Sequence, residues 1–256
     1  MLPIFFSFVA RIALPAGRVL MFIFFGTLAS ITWLFQFLKL DKLPEPIKMV
    51  VKVFFFGVAI TIPVFLVEFL LSKAIPLIGL PFFWSSIIYW FLAIALVEEY
   101  FKYWAVKHGV LKDKEFDEPV DTMIYMITVA LGFAALENIL YLFPPAEKVF
   151  MFNELLARTA TISFFRFVGA TFLHALCSGL VGYFLALAIC RPKIKIVFVT
   201  IGLVIAAFLH GLYNFSIIEI EGPLKLLIPV AILISLTIFI TIAFIKLKKM
   251  KSVCKI

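Results

Sequence analysis

A chain of 256 residues that is 64% hydrophobic, carries 32 Phe and is only 15% charged, with a mean hydropathy of +1.16, cannot be built around a single aqueous core. Its net charge of +8 is not a nucleic-acid footprint, because the basic residues fall mainly in alternate short connections and at the C-terminal end, as membrane topology requires. The composition predicts an all-α, polytopic bundle of transmembrane helices, multi-pass in the cell membrane, with the lipid bilayer as its surroundings and no nucleic acid as partner.

Apolar windows long enough to cross the roughly 30 Å of hydrocarbon fall at 18–38, 48–72, 82–106, 120–143, 161–189, 196–218 and 224–246, giving seven spans. Residues 2–14 are apolar apart from Arg11, yet short and followed by Pro15 and Gly17. They read as an interfacial segment, with an eighth crossing as the alternative, so the chain divides into an N-terminal segment 1–17 and a single transmembrane domain 18–256. Lysines and arginines gather in the first, third and fifth connections and in the tail from Lys246 to Lys255. The positive-inside rule therefore predicts a cytoplasmic C-terminus. The three cysteines, Cys177, Cys190 and Cys254, lack the spacing of a structural zinc site.

The first two spans hold one ionisable group at depth, Glu68, five residues before Lys73; a carboxylate snorkelling toward the outer boundary is the expectation. Span three carries Leu96-Val97-Glu98-Glu99-Tyr100-Phe101-Lys102. On a helix Lys102 reaches Glu98 at i, i+4 and Glu99 at i, i+3, so one lysine can serve either carboxylate. An ion pair joining helices and a catalytic acid pair both fit that pattern. Asp121 follows Pro119 at the start of span four, where it suits a helix cap or a supporting role in a site.

Span four continues Gly132-Phe133-Ala134-Ala135-Leu136-Glu137-Asn138, small residues for close helix approach followed by a carboxylate and an amide inside lipid. Span five brings Arg166, His174 and Ser178, with Arg166 about two turns before His174 and nearly on the same side; a buried arginine needs an anion, and spans three and four supply candidates. In span six His210 and Asn214 stand at i, i+4, able to present two hydrogen-bond donors to one point, as an oxyanion needs. Glu219 and Glu221 follow the span as expected solvated groups, and span seven is a packing helix.

Glu98, Glu99, Glu137, His174 and His210 form the candidate catalytic set, with Asn214, Asn138, Lys102, Arg166 and Asp121 as oxyanion or supporting groups. No serine or cysteine is paired with a base in a nucleophile motif, Ser178 near His174 being the nearest approach, so water is the expected nucleophile of a hydrolysis. A carboxylate in a low-dielectric site is suited to take a proton from water and pass it to a leaving amine. The expectation is metal-free chemistry with no cofactor; zinc is the alternative, held by Glu98, His174 and His210. A proton-coupled transporter, which would show inverted repeats that the chain lacks, and a non-catalytic binding protein are the rivals from other classes.

The ordered motifs Glu98-Glu99-Tyr100-Phe101-Lys102, Asp121 with Tyr125 ahead of Gly132 to Tyr141, His174-Ala175-Leu176 and His210-Gly211-Leu212-Tyr213-Asn214 resemble those of PrsW-family intramembrane proteases, within the clan that includes the CAAX prenyl endopeptidases and CPBP-type proteins. The resemblance covers roughly residues 25–248. It implies a membrane-embedded endopeptidase acting on a membrane-anchored, anti-sigma-factor-like substrate. It further implies that Glu98 and Glu99 are the paired catalytic glutamates, that His174 is required, and that His210 and Asn214 stabilise an oxyanion. Glu137-Asn138 stands where the CAAX enzymes have a second histidine.

Overall fold

The computed structural model describes residues 16–41, 43–111, 113, 116–144 and 150–250. Apart from Ala16 and Gly17, which open the first helix, the expected N-terminal segment lies outside the described residues. The described chain is helical, with no strand among those residues. The helices are α1 (Ala16–Leu38), α2 (Ile47–Ala74), α3 (Phe82–Ile87), α4 (Val97–Gly109), α5 (Asp121–Leu142), α6 (Phe152–Val168), α7 (Ala170–Cys190), α8 (Lys195–Glu219) and α9 (Leu224–Lys249). Among the described residues, counting runs that continue through short 3-10 or π stretches or the break at Gly169, seven helices are long and apolar enough to cross a membrane.

One helix sits inside the others. Some 89% of the α5 span is buried, against 22% to 39% for the spans formed by α1, α2, α3–α4, α8 and α9. Packed by α7, α2 and α1, α5 needs no polar face, and it shows no preferred apolar side because every side meets protein. Its crossing with α2 depends on Gly132 and Gly57: a methyl at Gly132 would collide with the Phe54 carbonyl, and one at Gly57 with the Val129 carbonyl. The outward faces of α1, α2 and α9 expose Phe24, Phe35, Phe55, Leu66, Leu227 and Ile234. In water such faces would drive association; on spanning helices they meet lipid.

Two local departures from ideal helix shape the bundle. Between α3 and α4 the backbone runs as a π-helix over Ile88–Leu96, directly ahead of Glu98, and wide turns of this kind recur at functional sites. Span five is not one helix: Gly169, at φ −108° and ψ −94°, separates α6 from α7. A side chain there would strike the Tyr213 hydroxyl. Arg166 therefore belongs to α6 and His174 to α7, and the break, not a shared helical face, sets the angle between them.

The carboxyl end of α5 is buried. Phe22, Leu142, Phe143 and Leu155 close over it as a small core of their own, and Arg158 donates to the Leu142 carbonyl at 2.8 Å, satisfying a helix-terminal acceptor. Glu137 of α5 and Glu98 of α4 both come within reach of His174, at 2.9 and 3.6 Å. Glu219, expected in solvent, instead accepts from the Ser86 hydroxyl at 2.7 Å and the Trp90 indole at 2.9 Å, tying the end of α8 to span three.

Candidate active site

Five helices deliver polar side chains to one point within the bundle. From α4, the Lys102 ammonium donates to Glu98 Oε2 at 3.1 Å and to Glu99 Oε1 at 2.8 Å, as the i, i+4 and i, i+3 spacings foretell. Its third contact crosses to α7, where His174 Nδ1 lies 2.9 Å away. The ammonium also sits 4.6 Å from the centre of the Phe133 ring on α5, whose face favours a cation. Lys102 and Glu99 are wholly buried, and Glu98 and His174 nearly so.

Since an ammonium has no lone pair, His174 Nδ1 is the acceptor in that contact. The ring is then the neutral Nε2–H tautomer, and Nε2 donates to Glu137 Oε2 on α5 at 2.9 Å. Glu137 Oε2 is held from its other side by Arg166 Nη2 of α6 at 2.5 Å. Arg166 Nε donates to Asn138 Oδ1, and its guanidinium lies 4.0 Å from the Tyr141 ring centre. The anion that Arg166 requires is thus Glu137.

On the other flank, Glu99 Oε1 faces His210 Nδ1 of α8 at 3.1 Å, and Glu99 Oε2 accepts from the Ser178 hydroxyl of α7 at 2.9 Å. The two imidazoles meet edge to face with centroids 5.0 Å apart. Both oxygens of Glu99 are therefore engaged, whereas Glu98 uses only Oε2 among the described residues, toward Lys102; its 3.6 Å approach to His174 Nδ1 is no hydrogen bond, since both atoms are acceptors. Ser178 pairs with Glu99 and not with His174, which removes the one arrangement that resembled a serine nucleophile with its base.

The supporting residues divide. Asn138 gives its amide to the Gly26 carbonyl at 3.2 Å and Thr171 Oγ1 at 2.9 Å; with Arg166 on its oxygen it ties α1, α5, α6 and α7 together, and no donor remains for a substrate. Asn214 stands one turn beyond His210 on α8, half-buried, with no side-chain hydrogen bond among the described residues. Asp121 is not in the constellation. It lies at the opposite end of α5 from Glu137, accepting from the Asp117 and Glu118 amides at 3.0 and 2.7 Å. There it groups with Asp41 and Glu45, and Tyr125 donates to Glu45.

Glu68 departs from the sequence reading. It does not snorkel: it is 4% exposed, turned into the protein toward the fields of Glu98, Glu137 and Lys102. Glu68 and Ser178 were visible in the sequence but given other roles, while Phe133, which faces the Lys102 ammonium, carried no signal of its own.

The donor set also bears on metal. Glu98, Glu99, His174 and His210 offer ligand atoms within 4.8 Å of one another, a combination that zinc accepts. Yet Lys102 Nζ is hydrogen-bonded to three of these four residues, and so competes for their ligand atoms. A divalent ion there would have to displace the ammonium and take its three acceptors.

Residues 45–244 match the family described as PrsW family intramembrane metalloprotease. Protease PrsW of Oceanobacillus iheyensis is 29% identical over 195 residues, 76% of this chain and 81% of that protein. Protease PrsW of Geobacillus kaustophilus is 30% identical over 185 residues, 72% and 74% of the two chains, and that of Bacillus subtilis 30% over 186 residues, 72% and 77%. No solved structure matches. With that match over most of its length, and with its acids and imidazoles gathered on membrane-spanning helices, the chain belongs to the PrsW family of intramembrane proteases and is a peptidase.

Proposed function

We propose that this chain hydrolyses a peptide bond in the membrane-embedded part of a membrane-anchored, anti-sigma-factor-like protein, using Glu98 to activate water and no metal. The observation that carries the reading is the closed chain of contacts from Lys102 to Glu98, Glu99 and His174, and from His174 to Glu137. Glu98 is the base because one of its oxygens is left for water, whereas Glu99 spends both on Lys102, His210 and Ser178. Glu98 takes a proton from water as hydroxide adds to the carbonyl carbon, and returns it to the departing nitrogen as the C–N bond breaks. His210, fixed by Glu99 through Nδ1, and Asn214 one turn along α8 are assigned to the oxyanion. His174, Glu137 and Arg166 keep Lys102 and its acids in register. The tail beyond α9 lies in the cytoplasm, as its lysines indicate.

One observation favours a second reading: the four-residue grouping of Glu98, Glu99, His174 and His210 is also what a zinc protease would present, with Glu98, His174 and His210 as the ligands. The test separates them. Purified protein is incubated with membrane-anchored peptides, alone and with a strong chelator, alongside Glu98→Gln and His174→Ala. Cleavage that survives the chelator and is lost in both variants is the expected result. Cleavage abolished by the chelator and restored by zinc would establish the metal reading, and activity retained in Glu98→Gln would remove the base.

A further inference from the structure

Among the acids around this site Glu68 stands apart. Glu98, Glu99 and Glu137 are each held by a cation, an imidazole or a hydroxyl, whereas both carboxylate oxygens of Glu68 are buried and have no hydrogen-bond partner among the described residues. It projects from α2, which packs on α5 and on the π-helical stretch, and it lies within the electrostatic reach of Glu98, Glu137, Lys102 and Tyr89. A buried polar group without a partner is costly, so a position serving packing alone would hold a leucine or valine.

The substrate chemistry supplies the missing partner. A peptide bond within a transmembrane helix is shielded by its own backbone hydrogen bonds, and hydrolysis requires the segment to unwind around it. Unwinding frees amide N–H groups where bulk water is absent, and each then needs an acceptor from protein. Glu68 offers unpaired carboxyl oxygens within the electrostatic reach of Glu98, Glu137 and Lys102. We infer that Glu68 is a substrate-binding residue that accepts backbone N–H groups of the unwound substrate segment flanking the scissile bond, so that the site selects extended over helical substrate. This rests on the protease reading above.

The test is a cycle between enzyme and substrate variants. Wild-type, Glu68→Leu and Glu68→Gln proteins are compared for binding of a fluorescent membrane-spanning peptide, and of a series in which each amide flanking the cleavage point is N-methylated in turn. Glu68→Leu should weaken binding of the parent peptide tenfold or more with thermal stability unchanged or raised, since an unpaired buried carboxyl is removed. One N-methylated peptide should bind wild type correspondingly weakly and bind Glu68→Leu no more weakly still, because both changes delete the same contact. Glu68→Gln, which keeps one carbonyl acceptor, should fall between; if the leucine variant fails to fold, the same cycle is read with glutamine. Parent binding within twofold of wild type in Glu68→Leu, or losses that multiply independently for every N-methylated peptide, would overturn the inference. Cleavage rates are recorded in parallel: cleavage by wild type with parent binding unchanged in Glu68→Leu would overturn this inference alone, whereas no cleavage by wild type would overturn the reading on which it rests.

Discussion

Lys102 Nζ and His174 Nδ1 lie 2.9 Å apart on different helices, and this contact decides both the tautomer of the histidine and the nature of the cation at the centre of the site. The chain carries that cation on its own side chain. Removing it leaves buried carboxylates uncompensated, which costs about 3–5 kcal/mol. Lys102→Met is therefore expected to lose stability on that scale, to lose activity, and to gain zinc affinity over wild type, read by denaturation and by zinc titration. A variant as stable as wild type and with no added zinc binding would contradict this account of the ammonium.

Glu98 and Glu99 are adjacent in sequence but are expected to fail differently. Glu98→Gln should keep the fold and lower kcat by about 10²–10⁴. Glu99→Gln should lower kcat and melting temperature together, because Ser178, Lys102 and His210 all rest on that carboxylate. Parallel kinetics and melting curves distinguish the two; equal effects on both quantities would remove the division of roles.

The two asparagines give a second contrast. Asn214→Ala should reduce kcat by about 10²–10³ as an oxyanion donor is lost, with stability within about 0.5 kcal/mol. Asn138→Ala strands Arg166, Thr171 and the Gly26 carbonyl, and should cost about 1–3 kcal/mol. An Asn214→Ala enzyme with unchanged kcat would exclude the amide from the chemistry.

At the far end of α5, burial holds the Glu45 carboxyl above the usual carboxylate range, although its hydrogen bonds to Tyr125 and Asp121 pull the other way. The folded protein keeps a proton there that the unfolded chain releases. The stability from this group is complete below the ordinary glutamate value of about 4.3 and is lost as pH rises through the raised one. Glu45→Gln cannot release a proton, so its melting temperature should gain on wild type as pH increases through that window. A constant difference across the pH series would show that Glu45 does not contribute.

Gly132→Ala should be among the most disruptive small substitutions in the chain. Its methyl would meet the Phe54 carbonyl, a backbone atom that moves only if α2 moves, and overpacking of this kind costs about 1–3 kcal/mol. Because α2 also carries Glu68, substrate binding should weaken along with melting temperature. Unfolding and binding measured on the same preparation check both.

Much of this molecule was legible before any coordinates. Spans could be read because lipid tolerates only long apolar helices, and seven runs long and apolar enough to cross are present among the described residues. The chemistry-bearing residues stood out because glutamate, lysine and histidine are rare in such company; Glu98, Glu99, Lys102, Glu137, Arg166, His174 and His210 were all visible for that reason, and Lys102 meets Glu98 and Glu99 as helical spacing alone requires. What spacing along one helix could not reveal was how different helices sit against each other. The break at Gly169, the π-helical stretch at Ile88–Leu96, the buried end of α5, the inward turn of Glu68, the displacement of Asp121 to the far end and the three-way grip of Lys102 all depend on which helix lies at the centre. The residue types and their local order came from sequence, because the cost of burying charge acts on each residue separately; which acid was left with a free oxygen, and which with no partner among the described residues, was decided only when the packed helices competed for the same few donors.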